Sequence, residues 1–323
     1  MPEEPKNKKG CLGCSIPVLI GLIGTFLILI LVSFAAGPLG TNLLGDIGLP
    51  DWLSIPQPHP ELPAEVVFHI FGFPITNSII AAWVTITFLV VFSYAVTRRM
   101  KIIPGRLQAA FEFLLDWLYN LCTSVAGEEN GRKFFPIVAT IFLFVGFNAW
   151  LGLLPGFGSI LVHTAEGEVH LLRPANTDIN MPLALALVSF VFVEFTGIRR
   201  IGIGYMKKFV NTIEFRRGLK QVFKGNIKSG LLGIFAGGIN IFTGFLEFFT
   251  ELIRIVSLTF RLFGNMTAGE ILLLVVAFLI PWLFSIPFYG LELLIGFIQA
   301  LIFAGLTLIF VTVAVIPHEE GAH

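Results

Sequence analysis

The sequence predicts an all-α polytopic membrane protein with about six membrane helices, the last two long, tilted and folded back on each other as a hairpin. Three observations predict this. Of 323 residues, 55% are hydrophobic and only 13% charged, about half the charge of a soluble domain, and mean hydropathy is +0.86. Apolar runs of about 20 residues recur, the length a helix needs to cross a ~30 Å hydrocarbon core. The basic residues gather in alternate connections between those runs, and so on one side of the membrane. The 34 Phe and 33 Gly suit lipid-facing bulk and close helix packing. A formal net charge of zero excludes bulk attraction to nucleic acid.

In chain order, residues 1–14 are polar, with Lys6, Lys8 and Lys9. Residues 15–36 are apolar and long enough to span; the same pattern fits a cleaved signal, and the length of the run favours a retained span. Residues 37–74 hold acids and many Pro and Gly but no Lys or Arg, and read as an external loop. A span over 75–97 ends at Arg98 and Arg99. Residues 105–126 mix polar and apolar positions at helical spacing, as in a helix lying on the membrane surface or against a partner. Residues 134–154 span again, 156–180 form a polar loop, and 181–197 make a short span ending at Arg199 and Arg200. A basic segment follows to Gly230, and from Leu231 to Ile316 the chain is nearly all apolar. With the N-terminus in the cytoplasm, 18 of the 21 Lys and Arg fall inside, which orients both termini inward. From Phe245 to Ile280 a straight helix would be about 54 Å long, far more than the bilayer core, so it must tilt, break or protrude. Pro281 and Pro287 mark the turn before 288–316 returns.

The segment 245–269 is organised around charge. On a helix at ~100° per residue, Glu247, Glu251, Arg254, Arg261 and Asn265 fall within about 40° of one direction. Ionisable groups in such a segment are costly and imply a partner or a wet cavity. Arg261 cannot shed its charge to escape. Snorkelling to an interface is the bland reading, and its depth in the apolar run disfavours it. Arg254 with Glu251 also reads as a structural ion pair, and Glu194, near a helix end, as a snorkelling acid. The returning segment carries Glu292 and Gln299 on one face, and Glu270 lies about 140° round from Asn265. Carboxyls in such surroundings suit a proton relay. The order acid, permanent cation, acid along the segment would stop a proton passing straight through. Asp178 and Asn180 precede a span, where capping is the simple role; Asn148 precedes a helix-ending L-L-P-G.

Phosphate-loop, H-E-x-x-H and G-x-S-x-G motifs are absent, so the chain is expected to be no enzyme and to have no nucleotide site of its own. Cys11 and Cys14 form one C-x-x-C without a second pair to complete a zinc site; Cys122 reads as packing, and no His pairs at ligand spacing. No metal or cofactor is expected.

Ser257–Glu270, S-L-T-F-R-L-F-G-N-M-T-A-G-E, closely resembles the signature of subunit a of the F-type ATP synthase. Further agreement lies in F-P-I-T-N-S (73–78), I-P-G-R-L-Q-A-A-F-E-F (103–113), G-R-K-F-F-P-I-V-A-T (131–140), N-A-W-L-G-L-L-P-G (148–156), T-D-I-N-M-P-L-A-L-A-L (177–187) and I-Q-A-L-I-F (298–303). The resemblance divides the chain into an N-terminal extension, 1–70, a family membrane domain, 71–317, and a cytoplasmic tail, 318–323. It implies a proton-translocating stator subunit in an energy-coupling membrane, the bacterial plasma (inner) membrane. Its implied partners are a ring of c subunits, which the last two helices hug, the peripheral-stalk b subunits, the rest of the synthase and membrane lipid. The family's essential arginine falls on Arg261, its channel residues on Asn265, Glu270, Glu292 and Gln299, and its acid on the cytoplasmic route on Glu247. The sequence departs in holding two carboxyls, Glu270 and Glu292, where some relatives hold a His/Glu pair; two acids titrate as a coupled unit. The rival classes are a self-contained transporter, which would show a midplane site and repeats, and a purely structural anchor, which the charges in 245–269 argue against.

Overall fold

The computed structural model describes residues 16–45, 50, 53, 55, 57–58, 63–98, 100–154, 156–164, 167–209, 212–223 and 226–316, with the side chains of 16, 203, 207 and 208 excepted. The Cys11/Cys14 pair, the polar start 1–14 and the tail 318–323 lie outside them. Eight α-helices and two small hairpins follow in order: α1 (Ile16–Ala36), α2 (Pro38–Leu44), β1 (Val66–Ile70), β2 (Phe73–Thr76), α3 (Asn77–Thr97), α4 (Arg106–Gly152), β3 (Leu161–Thr164), β4 (Gly167–His170), α5 (Asn180–Ile201), α6 (Ile213–Phe223), α7 (Ile227–Leu279) and α8 (Ile286–Val315). Among the described residues, six helical segments are long and apolar enough to cross a membrane, matching the expected number.

Two compact units form. The smaller holds the described residues of Met1–Glu61 with Thr267–Leu294, the larger those of Leu62–Met266 with Ile295–His323. In the smaller unit, α1 meets the turn after α7: the Ser33 hydroxyl donates to the Pro281 carbonyl, and Gly37 lets the chain lie against the Leu279 carbonyl. Trp282 donates its indole N–H to Leu53 O at 3.1 Å.

The larger unit holds the main core. The buried side of α8 is a stripe, Ala300, Phe303, Ala304, Thr307, Leu308, Val311 and Val315, at the spacing of one helix face. It meets small residues of α5, whose buried positions are Pro182, Ala186, Ser189, Val193 and Gly197; small side chains let membrane helices approach closely. Ser189 and Thr307 hydrogen-bond across this seam at 2.7 Å. Gly296 of α8 sits against the Ala149 side chain of α4.

Several expectations are corrected. Residues 105–126 and 134–154, read as separate, are two arms of α4 that meet at Gly127, whose φ of 78° and ψ of 167° break the helix. A positive φ costs glycine little. The arms close tightly, since a side chain on Gly131 would strike the backbone of Cys122 and Thr123. The first arm is half core: Leu118 and Cys122 are buried while Leu107 and Phe113 stay exposed. The external loop holds strands: β1 pairs antiparallel with β2 through Phe71 and Gly72, both at positive φ, as the tightest hairpin turns require. β3 pairs with β4 in the 156–180 loop. The basic segment 199–230 contains the amphipathic α6, and α7 begins at Ile227 rather than near Phe245.

Helix α6 rests on the start of α7 through glycine. Gly218 touches the backbone at Gly233 and Ile234, Gly230 meets Val222, and Gly237 meets Phe215, an antiparallel register. Arg216, Arg217 and Lys220 are exposed and, at ~100° per residue, point away from α7.

Candidate functional site

The five polar residues of α7 expected on one stripe separate by burial. Glu251 is 2% exposed, and Arg254 donates from Nη1 to its Oε2 at 2.6 Å. The guanidinium lies over the Phe310 ring of α8, 3.8 Å from its centroid, a cation–π contact. Ala186, Ser189, Phe190 and Val193 of α5 line the crevice beside it. Arg254 and Glu251 are therefore the ion pair that their i, i+3 spacing permits. Glu247 is half-buried, whereas Arg261 and Asn265 are exposed. Among the described residues, Arg261 makes one hydrogen bond, from Nη2 to Ser257 Oγ at 3.5 Å, the long limit for such a bond. Leu258, Leu262 and Met266 form the buried face of the same stretch. The polar stripe straddles the edge of that face: Arg254 turns in and Arg261 turns out.

Glu194 has a partner within the chain. The short helical turn Gly202–Lys208 folds back so that the Tyr205 ring fills the space over Gly197. The Tyr205 hydroxyl donates to Glu194 Oε1 at 3.2 Å. Burial, and then the Glu194 carboxylate, push the Tyr205 phenol above its ordinary range.

Asp178 and Asn148 centre two sets of buried polar contacts that tie α3 to the start of α5 and to α4, and the exposed Asn180 joins the first. Ser78 of α3 donates to Asp178 Oδ2 at 2.6 Å, and Asn180 donates its backbone and side-chain N–H groups to Oδ1 at 3.1 and 3.0 Å. Asp178 thus satisfies the α5 start and also cross-links, although Ile179 occupies the cap position. Asn148 donates to Thr85 Oγ1 at 3.0 Å and accepts from the Asn176 N–H at 3.2 Å. Ser78, Thr85 and Asn176 were not singled out from the sequence; the i, i+7 spacing of Ser78 and Thr85 on an apolar helix was the available signal. Gln299 of α8 is buried.

In the smaller unit, Glu292 of α8 is 6% exposed. Its carboxyl occupies the space a Cβ on Gly269 of α7 would need. Glu270, half-buried, is near enough for its charge to act on Glu292. The structure thus brings the two expected carboxyls together, on a glycine the sequence reading did not single out. Among the described residues, no group of three or more His, Cys, Asp or Glu is arranged to hold a metal.

The family model for the ATP synthase A chain matches residues 79–312. The chain belongs to the ATP synthase subunit a family. It is 35% identical over 244 residues to ATP synthase subunit a of Gloeobacter violaceus, covering 76% of this chain and 85% of that protein. It is 34% identical over 229 residues to ATP synthase subunit a 3 of Pelobacter propionicus, covering 71% and 83%, and 30% identical over 235 residues to ATP synthase subunit a of Citrifermentans bemidjiense, covering 73% and 86%. As a member of the subunit a family, the chain is a multi-span membrane subunit of the synthase rather than a catalytic one. Membership implies a part in proton translocation in the membrane sector.

Proposed function

We propose that the chain supplies two offset half-channels, to and from the carboxylates of a c ring, separated by Arg261. The observation that carries this reading is the state of Arg261: a permanent cation on an apolar helix, exposed, and held among the described residues by one long contact, to Ser257. Burying such a charge without a partner costs several kcal/mol, so an anion is expected opposite it. A ring carboxylate that has lost its proton meets that need, and Arg261 offsets its desolvation while blocking direct proton passage.

A proton enters from outside by Glu292 and Glu270, with Asn265 and Gln299 lining the way, and reaches a ring carboxylate. After nearly one turn it leaves toward the cytoplasm near Glu247. The seating of the buried Glu292 carboxyl against Gly269, the residue before Glu270, supports an inlet that uses both acids. Asp178, Asn180 and Asn148 brace α3, α4 and α5 against one another. The b subunits and the rest of the synthase hold the chain still against the ring, in the bacterial inner membrane with both termini inside.

The test is ATP-driven proton pumping in membrane vesicles containing the whole complex. Arg261→Ala is expected to abolish pumping while the subunit still inserts, and Glu292→Gln to slow it by about tenfold or more. Normal pumping by assembled Arg261→Ala complexes would overturn the reading.

A further inference from the structure

Two arginines stand on α7 only seven residues apart. At ~100° per residue their directions differ by about 20°, and they are about 10 Å apart along the axis. Each is a full cation, and each side chain is long enough to turn either way at the boundary of the buried face. A carboxylate passing in front of α7 would meet both if both were free. The structure gives them opposite fates. Arg254 is bound to a nearly inaccessible Glu251 at 2.6 Å and capped by the Phe310 ring, whereas Arg261 is exposed.

We infer that Glu251 and Phe310 are positioning residues that withdraw Arg254 into the bundle as a neutral pair, leaving Arg261 as the cation that a passing carboxylate meets. The inference rests on the reading of Arg261 given above. The surroundings of the pair favour retention. Glu251 reaches Arg254 from one helical turn before it on α7, Phe310 closes over it from α8, and α5 lines the crevice with Ser189 and apolar groups. The charges of Glu194, Glu251 and Arg254 all act on Tyr205, so two acids share the neighbourhood of one arginine. Replacing Glu251 by a neutral residue removes the strong tether, and the guanidinium then gains by turning outward, where a second anion-binding position forms two turns before Arg261. A ring carboxylate held at both positions would leave each more slowly.

The experiment observes rotation of single membrane-embedded complexes driven by ATP, scoring separately the speed of those that turn and the fraction that turn. A purely structural role changes the fraction; a second stopping point changes the speed. Glu251→Gln is expected to slow individual complexes by about tenfold, equivalent to about 1.4 kcal/mol in a barrier. Phe310→Leu, which keeps the ion pair and removes the ring contact, is expected to slow them about twofold to fivefold. Arg254→Gln alone is expected to turn at wild-type speed, and Glu251→Gln with Arg254→Gln to recover it. Unchanged speed in Glu251→Gln, or a double variant as slow as the single one, overturns the inference. Arg261→Ala in the same assay separates the two ideas. If it rotates and pumps normally, the reading of Arg261 fails and takes the inference with it. If it is inactive while Glu251→Gln runs at full speed, the inference alone fails.

Discussion

At the scale of single residues, Arg254 and Arg261 stand seven apart on α7, one paired with Glu251 under the Phe310 ring and the other exposed. The spacing of Glu247, Glu251, Arg254, Arg261 and Asn265 put them on one stripe. Whether each turns inward depends on α5 and α8, which the periodicity of one helix does not name. Leu258 and Leu262 pull the buried face under one edge of the stripe, and Phe310 gives Arg254 a seat that Arg261 lacks. The partner of Glu194 was hidden for the same reason, because Tyr205 sits beyond the helix end and returns only when the short turn folds back. Tyr205→Phe leaves the Glu194 carboxyl without that donor and is expected to destabilise the subunit by about 1–3 kcal/mol, seen as a lower midpoint in thermal unfolding of the purified complex. The alkaline limb should change as well. A phenol whose folded-state value is raised contributes its full stability below about pH 10, the ordinary tyrosine value, and loses it as pH rises beyond. The Phe variant should lose less above that pH, and equal losses would show that the Tyr205 site is wetter than its burial implies.

Elements were read best where composition and period agree. The long spans needed only apolar length. Helix α6 was missed because seven basic residues between Lys207 and Lys228 read as a solvated connection, yet Phe215, Leu219 and Val222 recur at i, i+4 and i+7, the mark of a helix with one apolar side. The strand pairs were missed because a Pro-rich external loop invites no strand assignment, although V-V-F-H-I and F-P-I-T around Phe71–Gly72 carry the β-branched and aromatic bias of a hairpin. The α6–α7 seam gives a test at this scale. Gly233→Ile would drive a branched side chain into the backbone at Gly218, at a cost of about 1–3 kcal/mol for overpacking. In inside-out vesicles, trypsin is then expected to cut faster at Arg216, Arg217 and Lys220 than in the wild type. Unchanged cleavage would mean that α6 does not depend on that contact.

For the molecule as a whole, the distribution of 21 Lys and Arg and the six apolar helices favour one orientation. It places β1–β2 outside and the chain after α3 inside. In a background with the native cysteines replaced by serine, a cysteine at Phe71 should react with a membrane-impermeant reagent only from outside, and one at Met100 only from inside. Both positions are exposed, so the reverse pattern would invert the topology and with it the assignment of entry and exit. Helix α7 sets a second whole-molecule constraint. Its 53 residues would extend about 80 Å as a straight helix against a core of ~30 Å. A large tilt or an exit from the bilayer is therefore unavoidable. The sequence showed the excess length but understated it, because the length was counted from Phe245 while the helix begins at Ile227.

The contact between Gly269 and Glu292 has a consequence for how such chains can change over generations. The carboxyl fills the volume that any side chain at 269 would claim, so the two positions share one fixed allotment of space. A methyl gained at 269 needs the Glu292 carboxyl to swing aside or something shorter at 292, and a bulkier group at 292 fits best beside glycine. Substitutions at these positions should therefore tend to be inherited as pairs, and a proton-carrying group moves between the two helices most easily by a route in which one side shrinks before the other grows.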